Sequence, residues 1–450
     1  MRLARTVALA VVLALLPLGA RSQTHHSPED ESHGAAGNEG FLGSYPSERE
    51  ATGTSWQPDS TPMEAIHFRG GGFDMMLHGF LNVGYSSESE PRGVSEGFTT
   101  GMIGFFARRD FGKGTLGFRL MGSSEPVMGP TGYPLLLQTG ETADGTTPLL
   151  DRQHPHDVLM ETAVTYSHEM PRESSLFVYF APVGEPALGP PAFMHRASNG
   201  DNPFAPIVHH WLDSTHISYG VLTFGWIASN KAKIEASIFN GREPDEDRWD
   251  VDRIRLDSYS VRFTANPTPD WSFQASFAEL NEPEALHEGI DFLRITASLT
   301  YNRRRERGNW QTTAAWGRNK RERTALTIDP VVVLTHSHGV TTTGVSISPV
   351  LVQNSLLVES ALRFRDDHTA FARFEWAEKD ELFAIDDPRH SALFDVSKLN
   401  VGYSYDFVRV QKLAFGAGVA FSLHFLPDEL SSAYGESPTG AYGFLRLKIR

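Results

Sequence analysis

The stretch LRITASLTYN, Leu293 to Asn302, decides the fold. Leu293, Ile295, Ala297, Leu299 and Tyr301 fall on one face of an extended chain, and Arg294, Thr296, Ser298, Thr300 and Asn302 on the other, because successive strand side chains point to opposite sides. Such a strand separates an apolar medium from an aqueous one. The pattern recurs in both directions. Trp271, Phe273, Ala275 and Phe277 alternate with Ser272, Gln274, Ser276 and Ala278; Tyr259, Val261, Phe263 and Ala265 alternate with Ser258, Ser260, Arg262 and Thr264. Nearer the C-terminus, Leu399, Val401, Tyr403, Tyr405 and Phe407 oppose Lys398, Asn400, Gly402, Ser404 and Asp406. About sixteen such segments, with fourteen to eighteen as the range, fit between Phe73 and Arg450, as in barrels that face lipid outside and water inside. The expected fold is all-β, an antiparallel transmembrane β-barrel. A soluble sandwich or propeller also alternates, but Tyr85, Tyr166, Trp226, Tyr301, Trp316, Trp376 and Tyr403 are placed as interfacial girdles would place them. A mean hydropathy of -0.29 suits strands with one face turned to a wet lumen.

The N-terminus reads as an export signal over residues 1–22, with Arg2 and Arg5 before an apolar run from Val7 to Leu18 and small Ala20 and Ser22. Residues 23–70, rich in Gly, Ser, Glu, His and Pro, carry too little apolar surface of their own to offset ordering and are expected to be mobile. The barrel domain is then 71–450. No later run reaches the roughly 18 apolar residues of a helical span. The absence of cysteine excludes disulfides, thiolate metal sites and a lipid-anchoring cysteine. A net charge of -15 argues against nucleic acid as a partner. The expected location is the outer membrane, with its lipid and its assembly machinery as partners. The chain ends Leu447, Lys448, Ile449, Arg450 rather than on an aromatic residue; Tyr442 and Phe444 are the nearest substitutes.

Two polar stretches carry the most chemistry. Asp151, Arg152, Gln153, His154, Pro155, His156 and Asp157 precede one strand, and His195, His209, His210, Asp213 and His216 precede the next but one. The surrounding loops, 129–157 and 184–213, are long enough to fold into the lumen or over its mouth. If His154, His156, Asp157, His195, His209, His210, Asp213 and His216 converge, they suit a divalent metal, zinc or copper. The alternative is that these histidines hydrogen-bond backbone in ordered loops or make charge networks with Asp151 and Asp157. The acidic loop from Gly241 to Asp250 lacks the glycine position and terminal glutamate of a calcium loop and reads as solvated rim charge. Ser214 and His216, two apart, would share a face if on a strand, but no GxSxG motif, orienting acid or oxyanion hole accompanies them, so no catalytic residue is assigned. Alternation turns Arg262, Arg294, Arg363, Arg373, Glu161, Glu359 and Glu375 to the lumen. There they would either tune the passage of small solutes or ions or fill the interior with ion pairs.

The segments QTGE at Gln138–Glu141, DRQHPHD at Asp151–Asp157, VGEPALGPPAFMH at Val183–His195, HHWLDSTHI at His209–Ile217 and FNGREP at Phe239–Pro244 resemble an uncharacterised family of Gram-negative outer-membrane β-barrel (porin-like) proteins. The resemblance runs from about residue 73 to the C-terminus, with Asp329–Val352 as an extra or altered segment, and implies a barrel without implying an activity. A porin-like channel for small solutes or ions is the leading expectation. A barrel plugged by its own loops, for binding or structure, and a membrane-embedded hydrolase are the alternatives.

Overall fold

The computed structural model describes residues 39–323, 328–333, 340–345 and 351–450. The expected signal segment and residues 23–38 lie outside the described residues, as do residues 334–339 and 346–350 of the altered segment Asp329–Val352.

Alternation produces the expected wall. Sixteen strands form it: Phe73–Glu88, Ser95–Phe111, Gly114–Ser123, Leu159–Met170, Ser174–Gly184, Ser218–Ala228, Ala232–Phe239, Ser258–Thr268, Trp271–Leu280, Ile290–Arg305, Gly308–Arg323, Leu351–Phe364, His368–Lys379, Phe394–Val410, Leu413–Phe425 and Thr439–Ile449. Each pairs antiparallel with the next around the ring. The last returns to the first, with Phe80 opposite Lys448 and Glu88 opposite Gly440, so the sheet closes and no edge is left for lipid to desolvate. Below that seam the short strand Ile66–Gly70 pairs with Phe73–Leu77 and continues the wall past the C-terminus. Turns of two or three residues join strands at one end, the turn end; connections of six to thirty-five residues join them at the other, the loop end.

The two faces separate as read. Val261, Phe263, Tyr405, Phe415 and Val419 are exposed, and Phe421 and Leu445 reach 64 % and 65 %. A contiguous apolar belt of that kind requires lipid rather than water. On the inner face Ser258, Ser260, Arg262, Thr264, Arg294 and Thr296 are buried.

What buries them is the chain itself. Residues 39–63, the hairpin of Tyr133–Thr142 with Pro148–Gln153, and the loop 185–217 all enter the lumen. Tyr133 and Leu135–Leu137 of the hairpin and Phe204, Ile207, Val208, Trp211 and Leu212 of the loop make an apolar core inside the barrel. The Tyr133 and Phe204 rings stack 4.6 Å apart.

For residues 39–70 the expectation of a mobile segment is corrected. Phe41, Leu42, Tyr45 and Trp56 are buried, and several of the segment's polar groups bond to side chains of the wall. Thr54 Oγ1 donates to Glu235 (2.5 Å) and accepts from Arg262 (2.9 Å), and Asn266 donates to the Gln57 carbonyl at 2.7 Å. Composition counts only the surface a segment brings with it, and here the barrel supplies the rest.

Candidate metal centre

Loop 185–217 is fixed by its apolar anchors and by wall charges that reach across to it. Arg373 donates to Asn199 Oδ1 and to the carbonyls of Phe204 and Ala205 at 2.8–2.9 Å. Arg196, on the loop, pairs with Glu359 of the wall at 2.7 Å and with Asp213 at 2.6 Å. Asp213 separates a one-turn helix, His209–Leu212, from a 3-10 turn, Ser214–His216. These two turns aim His209 and His216 at one point, and His156, arriving from the segment after the hairpin, completes a group of three whose ring nitrogens lie within 4.8 Å of one another.

The hydrogen bonds set the tautomers. His209 Nδ1 lies 2.9 Å from Asp213 Oδ1 and His216 Nδ1 lies 2.6 Å from the Asp213 carbonyl, each as donor. His156 Nδ1 is 2.8 Å from Glu125 Oε2, at an angle too poor for a full hydrogen bond, while its backbone N–H donates to the same oxygen at 3.1 Å. The Nε2 lone pairs remain. Those of His156 and His216 are buried without any partner, a cost of about 1–3 kcal/mol for each unsatisfied group. A cavity of about 10 Å³ lies among Glu141, His154, His156, His209, Ser214 and His216, room for one ion or one water. Burial, reinforced by His156 and His209, holds His216 well below its usual range, so its imidazole is neutral. Burial alone would raise Asp213, but Arg196 and His209 more than offset it and keep the carboxylate charged.

Three imidazoles with carboxylate or carbonyl groups behind them are the donor set of an open zinc site. Glu141, His154 and His210 form a second group of potential donors beside it. There, His154 Nε2 already meets Glu141 at 2.8 Å, and Glu141 also accepts from Arg248 at 2.9 Å. Burial pushes His210 down to about 3.

Of the other expected ligands, Asp157 borders the same cavity, but its carboxylate accepts from Tyr219 and Arg248. His195 lies apart, against His78 and Met121. Two further groups carry no comparable site: Arg321 neutralises Glu381 (2.9 Å) and Asp380 (2.7 Å) beside Glu284 and His287, and Asp245, Asp250 and Asp252 stand at the solvated rim. Ser214 and His216 share no strand face, because they lie in a 3-10 turn; Ser214 Oγ accepts from Arg294 at 3.0 Å.

The expected pore-lining residues do face inward, but six of the seven are buried and grip the chain or one another rather than open water. Glu161 holds Arg119 (3.0 Å) and accepts from Tyr179 (2.8 Å); Arg262 binds Glu235 and the Gly189 carbonyl; Arg294 binds Asn319 and Ser214; Arg373 binds Glu375; Glu359 accepts from Arg196 and Ser198. Arg363 is partly exposed and pairs with Glu64. Alternation locates a side chain on the inner face but says nothing of what else enters the lumen. Glu125, Glu141 and Arg196, which support the centre, escaped the sequence analysis, although Glu141 stands in the QTGE segment and Arg196 beside His195.

The closed sixteen-strand ring defines a porin-like barrel. No protein-family model and no curated protein matches the chain. Among solved structures it is similar to OmpF of Salmonella typhi in complex with daunomycin, at 10% identity and TM-score 0.49, over 85% of this chain and 100% of that one. It is also similar to an anion-selective porin from Comamonas acidovorans, at 11% identity and TM-score 0.48, over 84% and 100%. The outer membrane channel DcaP of Acinetobacter baumannii follows at 9% identity and TM-score 0.48, over 85% and 99%. The likeness is one of barrel shape, and nothing about this chain's solutes follows from it.

Proposed function

We propose that this chain is an outer-membrane, porin-like barrel held closed by its own loop 185–217, and that a divalent transition metal of the zinc class on His156, His209 and His216 pins that loop. The observation that carries the proposal is the meeting of three buried imidazoles from two separate loops, with two Nε2 atoms left unpartnered. A metal bound there joins residue 156 to residues 209 and 216, and so ties the hairpin segment to the plug. The loop end, which holds the site, faces outward, as long loops do in such barrels. Opening would let small solutes or ions pass between the inner wall and the displaced loop.

Zinc titration of the refolded mature chain tests the metal, and bilayer conductance tests the closure. The expected result is one zinc ion per barrel, bound at least about a hundredfold more weakly once all three histidines are replaced by Ala. Conductance should be low with zinc and should rise when a chelator removes it or when residues 195–213 are deleted. Equal zinc affinity in the triple variant would remove the metal centre. A large steady conductance that neither zinc nor the deletion changes would make the chain an open pore, a reading favoured by the cavity of about 210 Å³ at the turn end.

A further inference from the structure

Seven of the chain's ten methionines gather in one region. Met63, Met75, Met76, Met102 and Met194 line the cavity of about 210 Å³ at the turn end, and Met121 and Met160 pack with Met102 behind it. Two histidines stand among them. His195 Nε2 lies 3.3 Å from Met121 Sδ, and the His195 ring is 5.3 Å from that of His78. His78 and His195 also line the cavity, so thioethers and imidazoles face one space. Methionine is a common filler of irregular gaps, yet the apolar core between hairpin and loop, in the same lumen, is filled by Leu135, Leu136, Leu137, Phe204 and Trp211. Gap-filling alone gives no reason for the change of residue type at one end of the barrel. Soft thioether ligands select monovalent copper over the harder cations, and imidazole is a suitable companion ligand. Of the cations that line the cavity, Arg119 is neutralised by Glu161 at 3.0 Å, Arg196 by Glu359 and Asp213, and Arg363 and Lys448 by Glu64, while Arg108 donates to the Glu39 carbonyl.

We infer that Met102, Met121 and Met194, with His78 and His195, bind a monovalent copper ion at the inner end of the plug. Met63, Met75 and Met76, on the cavity wall, line the approach from the turn end. This site uses none of the three histidines of the zinc-class centre and stands or falls independently of it. Loop 185–217 would then carry a borderline imidazole site near its C-terminal end and a soft site near His195.

The test is anaerobic titration of the folded mature chain with cuprous ion against a chromophoric chelator, together with X-ray absorption at the copper edge. The expected result is one cuprous ion per barrel with sulfur in its first shell. Joint Met102→Leu, Met121→Leu and Met194→Leu replacement, which nearly conserves volume, should weaken binding at least tenfold, whereas His156→Ala with His209→Ala and His216→Ala should leave it unchanged. Unaltered affinity in the leucine variant would overturn the inference, as would loss of binding in the histidine variant or a copper spectrum with only nitrogen and oxygen neighbours. If the leucine variant does not fold, the absorption spectrum of the unaltered chain decides alone: sulfur neighbours support the site and their absence overturns it.

Discussion

At the scale of single residues, the lumen holds groups whose state is set by burial. Glu185, the first residue of the plug loop, stands 3.6 Å from Arg262, too far for a hydrogen bond, and burial, only partly offset by Arg262, pushes its carboxyl up to about 8. The folded barrel therefore keeps a proton there that the unfolded chain releases near pH 4. Stability on this account declines as pH rises from about 4 to about 8 and is level beyond. Glu185→Gln should remove the decline and stabilise the barrel at pH 9 by about 1–2 kcal/mol, read from denaturant unfolding across pH; an unchanged profile would show that the group is ionised in the fold. Gly189 makes a different demand. Its φ is +74°, and a Cβ there would lie 1.9 Å from the Leu212 carbonyl oxygen. Gly189→Ala should displace the turn that carries His209 and weaken zinc binding about tenfold, a loss of about 1.4 kcal/mol, while the heat-modifiable migration of the barrel stays. Undiminished zinc affinity would mean that the turn adjusts without cost to its imidazole.

At the scale of elements, the strands were legible and the insertions were not, for one physical reason. A wall strand meets the same two media along its whole length, so Leu293–Asn302 carries its environment in its own alternation. An inserted loop meets partners far away in the chain: Arg196 meets Glu359, and Asn202 meets Asn400. The histidines could be picked out by type, and the convergence of His156 with His209 and His216 was an open alternative in the sequence; the departure of His195 toward Met121 left no local trace. The N-terminal stretch shows the same limit. Arg49 is buried, binds Asp59 at 2.7 Å and donates to the Asn230 carbonyl at 2.5 Å, in a segment whose composition suggests disorder. Trypsin should therefore leave the bond after Arg49 intact in the folded barrel and cut it after unfolding, as mass spectrometry of the fragments would show. Ready cleavage there under native conditions would mean that the segment leaves the lumen on its own.

At the scale of the whole molecule, barrel closure is also an electrostatic event, because the two ends of the barrel-forming chain meet at Glu64. That carboxylate sits just before the short strand Ile66–Gly70 and receives Lys448 at 2.6 Å, Arg450 at 3.0 Å and Arg363. One acid thus ties the N-terminal strand, the closing strand and a wall strand on the far side of the closing hairpin. Burial would raise its pKa, but Lys448 and Arg363 more than offset that and lower it to about 2. A depressed carboxylate contributes stability that is complete above its unfolded pKa, near 4, and is lost as pH falls through about 2. Glu64→Gln removes the charge and leaves three cations facing one another. It should cost about 2 kcal/mol at pH 7, discounted for partial exposure, and the gap from the unaltered barrel should close as pH approaches 2. The loss should also appear as faster unfolding, if the latch yields before the rest of the wall, because a barrel opens first where its seam is weakest. Denaturant unfolding of both forms between pH 2 and pH 7 separates the outcomes: a gap constant with pH would assign the cost to packing, and a gap that vanishes in acid would assign it to the charge that holds the two ends together.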